Sequence, residues 1–497
     1  MAVSYFADAE YIDYFYDGLS PWMLDYLAAI HGFPRTELAE GFDYLELGCG
    51  TGLSLTVHAA ANPMGRFFGV DFNPEHIRRA TRTAEQGQVN NLTFLEEDFA
   101  HLLERDLPRF DMIVLHGVYS WISQAMRREL QGFIAHRLKP AGKVYISYNA
   151  LPGWASQAPI RHFMATWVEN HDGPTLDKVA KGLEYLRRLQ EVNAPSVTGS
   201  PQVKALVEHI LEADPRYVAH EYFTQFWEPF YFRQVADDMG RVGLNYLGCL
   251  PVPLNYGAFC LPEKLQGLFD GLGTRLEFET HKDFVLNTVF RRDVYCLGRN
   301  GHPTSPGNRL DRVTLGSFRC REDFQFKFEV KGNTVDLDGA IFPKLADLLA
   351  GTRMPAARVL EHPSLANFAA EEIREGLECL VASGQVLPMA PGPMPAAEGL
   401  SPLNRHLLER DIASATHVAL ACPGSGTGVQ LAPSDALILL GLAEVGLDRL
   451  APWTHEWAAR NKLNLSLGDG SAALEDHLRG RVRRLPLAAL GLEDPFR

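Results

Sequence analysis

The stretch YLELGCGTG at 44–52 sets three glycines at alternate positions behind a short apolar run. Glycine in such a turn serves a ligand, because a Cβ would block close approach of the main chain and forbid the backbone angles required. A dinucleotide site would want its third glycine at position 53; Leu53 stands there and the glycine is Gly52. Glu46 precedes the turn, where it would repel a pyrophosphate but tolerate a cation carrying an amino group. Two more acids follow in order. Asp71 ends the run Gly69-Val70-Asp71 and could hold both hydroxyls of a ribose. Asp98, between Glu97 and Phe99, could accept from an adenine amino group while Phe99 packs on the ring. Alone, Asp71 is also explained as an acid opening a helix and Asp98 as a turn residue. One acid behind each successive strand is what points to an adenosyl ligand.

The elements that must position these residues follow from periodicity. Short apolar runs at 44–47, 66–70, 92–95, 112–115 and 143–148 alternate with helical patterns at 53–61, after Asn73-Pro74-Glu75, and at 123–137. Such alternation predicts a parallel sheet with helices on both faces. Ser20-Pro21 predicts a helix start with Ser20 as cap. Residues 156–213 read as helical with a polar break at 193–201. Runs at 244–250 and 293–297 are expected to complete the first sheet. RNGHPTSPGNRLDR at 299–312 and PMAPGPMPAAEGLSP at 388–402 have linker composition. Between them a hairpin around Gly332-Asn333 and three helices loosely resemble a winged helix. Gly424–Gly428 copies the alternate-glycine pattern but leads into Pro433, and is expected to be a turn.

The resulting division is an aromatic cap at 1–40, rich in tyrosine (Tyr5, Tyr11, Tyr14, Tyr16, Tyr26), and a ligand-binding core at 41–155. A helical insertion and regulatory region at 156–299 completes the sheet. A winged-helix-like part follows at 313–388 and a small domain at 403–497. At 497 residues the chain is too long for one core. Its net charge of -14 argues against a nucleic-acid-wrapping surface. The seven cysteines are scattered, never spaced CxxC, and are expected as reduced thiols. His220-Glu221 lacks the second histidine of HExxH, so no metal site is expected there. No leader pattern and no apolar run near the roughly 20 residues of a membrane span is present, which predicts a cytoplasmic protein.

With ELGCGTG at 46–52, GVD at 69–71, EDF at 97–99, FDMIVLHGV at 110–118 and LKPAGKVYISY at 138–148, residues 40–150 resemble the class I S-adenosylmethionine-dependent methyltransferases. The resemblance implies an α/β Rossmann-like seven-stranded sheet whose last strand is antiparallel. It places the methionine part of S-adenosyl-L-methionine on Glu46, Gly48, Cys49 and Gly50, the ribose on Asp71 and Phe72, and adenine on Asp98 and Phe99. HGVYSW at 116–121, YNALPGW at 148–154, DPRYVAHEYF and EPFYF within 214–232, and FRRDVYCLGR at 290–299 resemble methyltransferases with a methyltransferase regulatory domain. The whole architecture is similar to bacterial protein-lysine methyltransferases that modify outer-membrane proteins.

In that topology the end of the fourth strand faces the methyl. His116 could orient or deprotonate an amine there, or be a buried hydrogen-bonded histidine beside the cofactor. Tyr119 and Trp121 could wall the pocket with π faces that favour a cation, or pack the core. Tyr148 and Asn149 are further pocket candidates, and Tyr222 either closes over substrate or packs internally. No Asn-Pro-Pro-Tyr run is present, against a nucleobase or glutamine methylase of that type. The reading is N-methylation of protein lysine by a soluble, non-membrane enzyme, with the winged-helix-like part serving docking or a homodimer. Its rivals are a methyltransferase for a small metabolite or surface glycan, and a non-catalytic sensor of the same cofactor.

Overall fold

The computed structural model describes residues 13–495 apart from 224–225, 299–309, 393–398, 415 and 462–471. Seven strands form one sheet: β1 (Phe42–Leu47), β2 (Gly65–Asp71), β3 (Leu92–Glu96), β4 (Phe110–Leu115), β5 (Leu138–Asn149), β6 (Leu244–Cys249) and β7 (Phe290–Leu297). Their order is β3-β2-β1-β4-β5-β7-β6. The first five pair in parallel, and β7 runs antiparallel to both β5 and β6. The expected seven-stranded α/β sheet with an antiparallel last strand is therefore present. All six residues of β1 are buried, as a central strand covered on both faces requires.

Helices α1 (Pro21–Ile30), α2 (Leu53–Ala61), α3 (Pro74–Gln86), α4 (Gln124–Arg137) and α5 (Ala158–Glu169) lie where the periodicity places them. Asn73 caps α3, its side chain accepting from the Glu75 N–H at 2.9 Å, with Pro74 in the first turn. Ser20 departs from expectation. Pro21 does open α1, but the Ser20 hydroxyl makes no cap bond and donates to the Gly426 carbonyl at 3.0 Å. Gly426 sits in the turn between strands Val418–Cys422 and Thr427–Leu431, at φ +84, where a Cβ would lie 2.1 Å from the Trp22 ring. The alternate glycines at 424–428 thus serve a close approach of the C-terminal part to α1.

The later segments share cores with the sheet. Leu403, Leu407, Val418, Leu437 and Ile438 pack in one cluster with Phe15, Leu53 and Val57, the last two on α2. Leu315, Leu345 and Leu377 join a cluster that holds Tyr26, Leu27, Tyr44 and Leu247. In the 313–388 segment the strands Arg353–Pro355 and Leu387–Met389 flank Thr314–Gly316, with helices Ile341–Leu349 and Ala370–Ala382 alongside. Strand Leu387–Met389 reaches into what composition marks as linker. Four cysteines are buried, three half-buried, and all are free thiols. Among the described residues no helix is long and apolar enough to cross a membrane, and no group of three or more His, Cys, Asp or Glu could hold a metal.

Candidate functional site

The glycine turn between β1 and α2 is strapped to the end of β2. Gly48 and Cys49 donate their N–H groups to the Val70 carbonyl at 2.8 and 3.0 Å. Gly50 N–H donates to Asp71 Oδ2 at 2.9 Å. Gly48, Gly50 and Gly52 all have left-handed φ, +75, +54 and +72. A Cβ on Gly50 would meet nothing within 4 Å, so bare backbone faces open space there. A Cβ on Gly48 would lie 2.5 Å from Val118 Cγ2, with the Phe99 ring beyond at 3.9 Å. Gly48→Ala is expected to cost about 2–5 kcal/mol, summing left-handed strain and overpacking. Adding Val118→Ala should return only the packing share, read by urea unfolding of the two chains.

Asp71 is buried, and its second oxygen accepts from the Asn73 N–H at 2.9 Å and faces His76 Nδ1 at 3.3 Å. Glu46 is buried too; burial, and then the Asp71 charge, push its carboxyl up to about 8. Burial first, then Asp71 and Glu46, raise the half-buried Cys49 thiol as well. Phe72 is 40% exposed at the rim. Asp98 is exposed and caps the short turn Phe99–Glu104, accepting from the Ala100 N–H at 3.0 Å. Phe99 is half-buried beside Gly48.

Strand register sorts the remaining candidates by face. Directly paired residues of antiparallel strands share a face. Ser147 pairs with Arg292 and Asn149 with Phe290, so these four face together, while Tyr148 and Arg291 face the other way. His116 belongs to the first set: its Nδ1 meets Tyr145 Oη at 2.9 Å, and its ring lies 6.1 Å from Phe290. Tyr16 covers it, ring centroids 3.8 Å apart. The Gly117 N–H donates to Ser147 Oγ at 2.8 Å, fixing the end of β4 against β5. Burial, and then Arg292, lower His116 to about 3. A ring so weakly basic takes no proton from an ammonium of pKa about 10.4, which favours an orienting role over deprotonation.

Tyr119 and Tyr148 are directed elsewhere. The Tyr119 hydroxyl donates to Asp238 at 2.9 Å and its ring packs 5.5 Å from Phe230. The Tyr148 hydroxyl donates to Asp293 at 2.6 Å within a buried charge group. Both belong to the core cluster on the face opposite His116. Trp121 is half-buried, its main-chain N–H donating to the Val118 carbonyl at 2.9 Å. Asn149 is buried on the His116 side; its N–H donates to Ser120 Oγ at 2.9 Å, and its Nδ2 has no partner among the described residues.

The structure adds residues that sequence reasoning passed over. Tyr16, Phe290 and Arg292 surround His116, Ser147 holds the adjoining Gly117 N–H, and Glu221 faces Asn149. Alternation along 290–297 would have flagged Phe290 and Arg292 once Asn149 was assigned to the site face. Of the aromatic cap, Tyr14 and Tyr16 are held on α2: Ser54 accepts from the Tyr16 N–H and donates to the Tyr14 carbonyl, each at 3.0 Å. Tyr5 and Tyr11 lie outside the described residues.

Comparisons with known proteins agree with this layout. Residues 38–192 match a family model described as methyltransferase domain, and residues 214–297 one described as predicted methyltransferase regulatory domain. An uncharacterized protein of Synechocystis is 29% identical over 445 residues, covering 88% of this chain and 87% of that protein. An uncharacterized protein of Rickettsia prowazekii is 31% identical over 196 residues, covering 39% of this chain and 77% of that one. Among solved structures, PKMT2 from Rickettsia typhi superposes with a TM-score of 0.72 at 20% identity, over 96% of this chain and 99% of its own. The same protein in complex with AdoHcy gives 0.71, over 94% and 96%. At that identity the likeness shows a common fold.

Proposed function

Since the chain belongs to the S-adenosylmethionine-dependent methyltransferases that carry a methyltransferase regulatory domain, we propose that it N-methylates lysine side chains of a protein. The observation that carries the reading is the exposed apolar rim beside His116. Phe290, against the His116 ring, is 36% exposed. Val289, the residue before it, is exposed as well. An exposed apolar rim beside a site suits a macromolecular acceptor that brings its own apolar cover, more than a small metabolite that needs enclosing. The name of the Rickettsia typhi neighbour, that of a protein lysine methyltransferase, supports the same class.

The donor, when bound, supplies an electrophilic methyl on a sulfonium. The residues present fit it: a cradle at Gly50 that a side chain would fill, buried Glu46 for an amino group, and Asp71 for ribose hydroxyls. Phe99, Phe72 and Asp98 edge the adenine side. His116 and Tyr16 wall the reacting end, and Asn149 lines the acceptor side. What these groups contribute is alignment and exclusion of water. The 313–388 part is proposed for partner docking or dimerisation.

The test is mass spectrometry of cell-extract proteins incubated with methyl-labelled donor and the purified enzyme. Label on lysine in one or a few proteins is the expected outcome. Label confined to the small-molecule or glycan fraction would move the function to the rival acceptor class. Donor binding with no transfer into any fraction would favour a sensor.

A further inference from the structure

At the acceptor end, beyond β5, the helical insertion closes a second cluster over Asn149. Helix Pro215–Tyr222 sets Glu221 toward the Asn149 amide and toward Arg161 of α5. Rings enclose this place: Trp154 lies 6.2 Å from Tyr222 and 4.9 Å from Trp227, and Tyr217 lies 6.5 Å from Tyr222. Trp154 and Tyr222 are buried. The Arg161 guanidinium lies over the Trp227 ring at 5.2 Å. Asn149 is 4% exposed, and its Nδ2 is left without a hydrogen bond even though Glu221 is beside it. A buried amide facing a carboxyl across an incomplete hydrogen bond leaves a polar gap.

We propose that Glu221, presented by Asn149 inside this aromatic enclosure, receives the acceptor's ammonium group and takes its proton. The inference rests on the amine-acceptor reading above and names the residue that would serve it. An ammonium has three donors and needs oxygen partners; Glu221 supplies a carboxylate, and the Asn149 amide supplies an oxygen when turned toward the gap. The surrounding π faces favour a cation. Glu221 is half-buried, and the fully buried carboxyls at this end are committed: Glu46 and Asp71 to the donor cradle, and the Arg291 group to the opposite face. His116 is too weak a base. In the step, one N–H bond of the ammonium breaks and Glu221 gains the proton. The freed nitrogen pair forms the N–C bond as the C–S bond breaks, its electrons going to sulfur. Glu221 then passes the proton to solvent.

The carboxyl is suited to this. Burial pushes it up to about 7, while Asn149 and Arg161 draw it down. The titratable neighbours are Arg161, lowered to about 10 chiefly by burial, and Tyr217 and Tyr222 on its own helix; Glu169 acts through Arg161. The test uses the full chain saturated with AdoHcy and a permanently charged probe, Nε-trimethyl-lysine amide. Its affinity is expected to rise about tenfold from pH 6 to pH 8, as a group of pKa about 7 goes from roughly a tenth to nine-tenths ionised. Glu221→Gln should bind the probe about tenfold more weakly and without that pH dependence, while AdoHcy affinity and thermal unfolding stay as in wild type. Transfer to extract protein should fall about 10²–10⁴-fold in the variant. Equal probe binding and equal labelling by wild type and Glu221→Gln would overturn the proposal. If wild type labels no protein, the protein-lysine reading fails, whereas loss of pH-dependent probe binding in Glu221→Gln still upholds the ammonium site.

Discussion

Arg291→Met is expected to destabilise the chain by about 3–5 kcal/mol, enough to leave little folded protein at 37 °C. The Arg291 guanidinium is buried and fully engaged. It donates to Asp293 at 2.8 and 3.0 Å, to Asp283 at 2.7 Å and to Glu279 at 2.8 Å, and it lies 4.3 Å over the Phe232 ring. Lys282 joins the group through Glu279 at 2.6 Å and the Leu254 carbonyl at 2.7 Å. Three carboxyls thus share two cations away from water. Removing Arg291 leaves three around one, and the cost is the desolvation of unpaired carboxylates rather than the worth of any single pair. Methionine retains most of the volume, so the loss reports charge more than cavity.

The sign with pH follows. In wild type, burial raises Asp283 to about 6. A carboxyl raised above its unfolded value favours the fold where it is protonated, so this group's contribution improves as pH falls from about 6 toward 4. Glu279 behaves oppositely: burial raises it, but Lys282 and Arg291 outweigh burial and hold it at about 2. Its stabilising share is present above about 4.5 and is lost only as pH falls toward 2. In Arg291→Met the strongest counter-charge is gone, so all three carboxyls should favour protonation. The variant is therefore expected to regain stability between pH 7.5 and pH 5.5, by more than wild type does. Urea unfolding at the two pH values checks this; a variant as stable as wild type at pH 7.5 would show that the buried charges are not what holds β7 to helix Arg275–Leu286.

The same group marks the limit of what the sequence discloses. Strands β1–β5 were legible because each is a short apolar run bounded by turn residues, and Glu46, Asp71 and Asp98 lie at or just beyond the ends of β1, β2 and β3, as their order in the sequence leads one to expect. β6 and β7 were legible as apolar runs. Partners far apart in the chain were not. Nothing in the spacing of Glu279, Asp283, Arg291 and Asp293 says that four charges will meet in a core. Nothing around Ser20 says that its hydroxyl will serve Gly426 rather than α1. Tyr119 and Tyr148 have the right residue type and the right strand ends for a pocket, yet their hydroxyls lead to Asp238 and Asp293 on the opposite side. Only register separates Tyr148 from Asn149, and a one-residue difference along a strand exchanges the faces. Glu221 was hidden for the same reason: its meaning depends on Asn149, which the fold brings to it from β5.

Asp71→Ala is expected to weaken AdoHcy binding at least about 100-fold. The carboxylate does two things at once. It accepts from the Gly50 and Asn73 N–H groups at 2.9 Å each, which shapes the glycine turn, and it would offer its remaining acceptor capacity to ribose hydroxyls. Bonds to a charged acceptor are worth about 1.5–3 kcal/mol each, so losing two reaches the expected size. Asp71→Asn should lose less, because its amide oxygen still serves one N–H but its nitrogen cannot accept from the other. The substitution also acts on Glu46, whose carboxyl burial first, and then Asp71, hold at about 8. At pH 7 wild-type Glu46 is mostly protonated, so taking up the ligand's charged amino group should expel close to one proton and tighten with rising pH through 8. With the Asp71 charge gone, Glu46 titrates lower, and fewer protons should leave on binding. Calorimetry in two buffers of different ionisation enthalpy reads both quantities. Unchanged affinity in Asp71→Ala would detach the end of β2 from the ligand, and unchanged proton release would remove Glu46 from the amino-group side of the cradle.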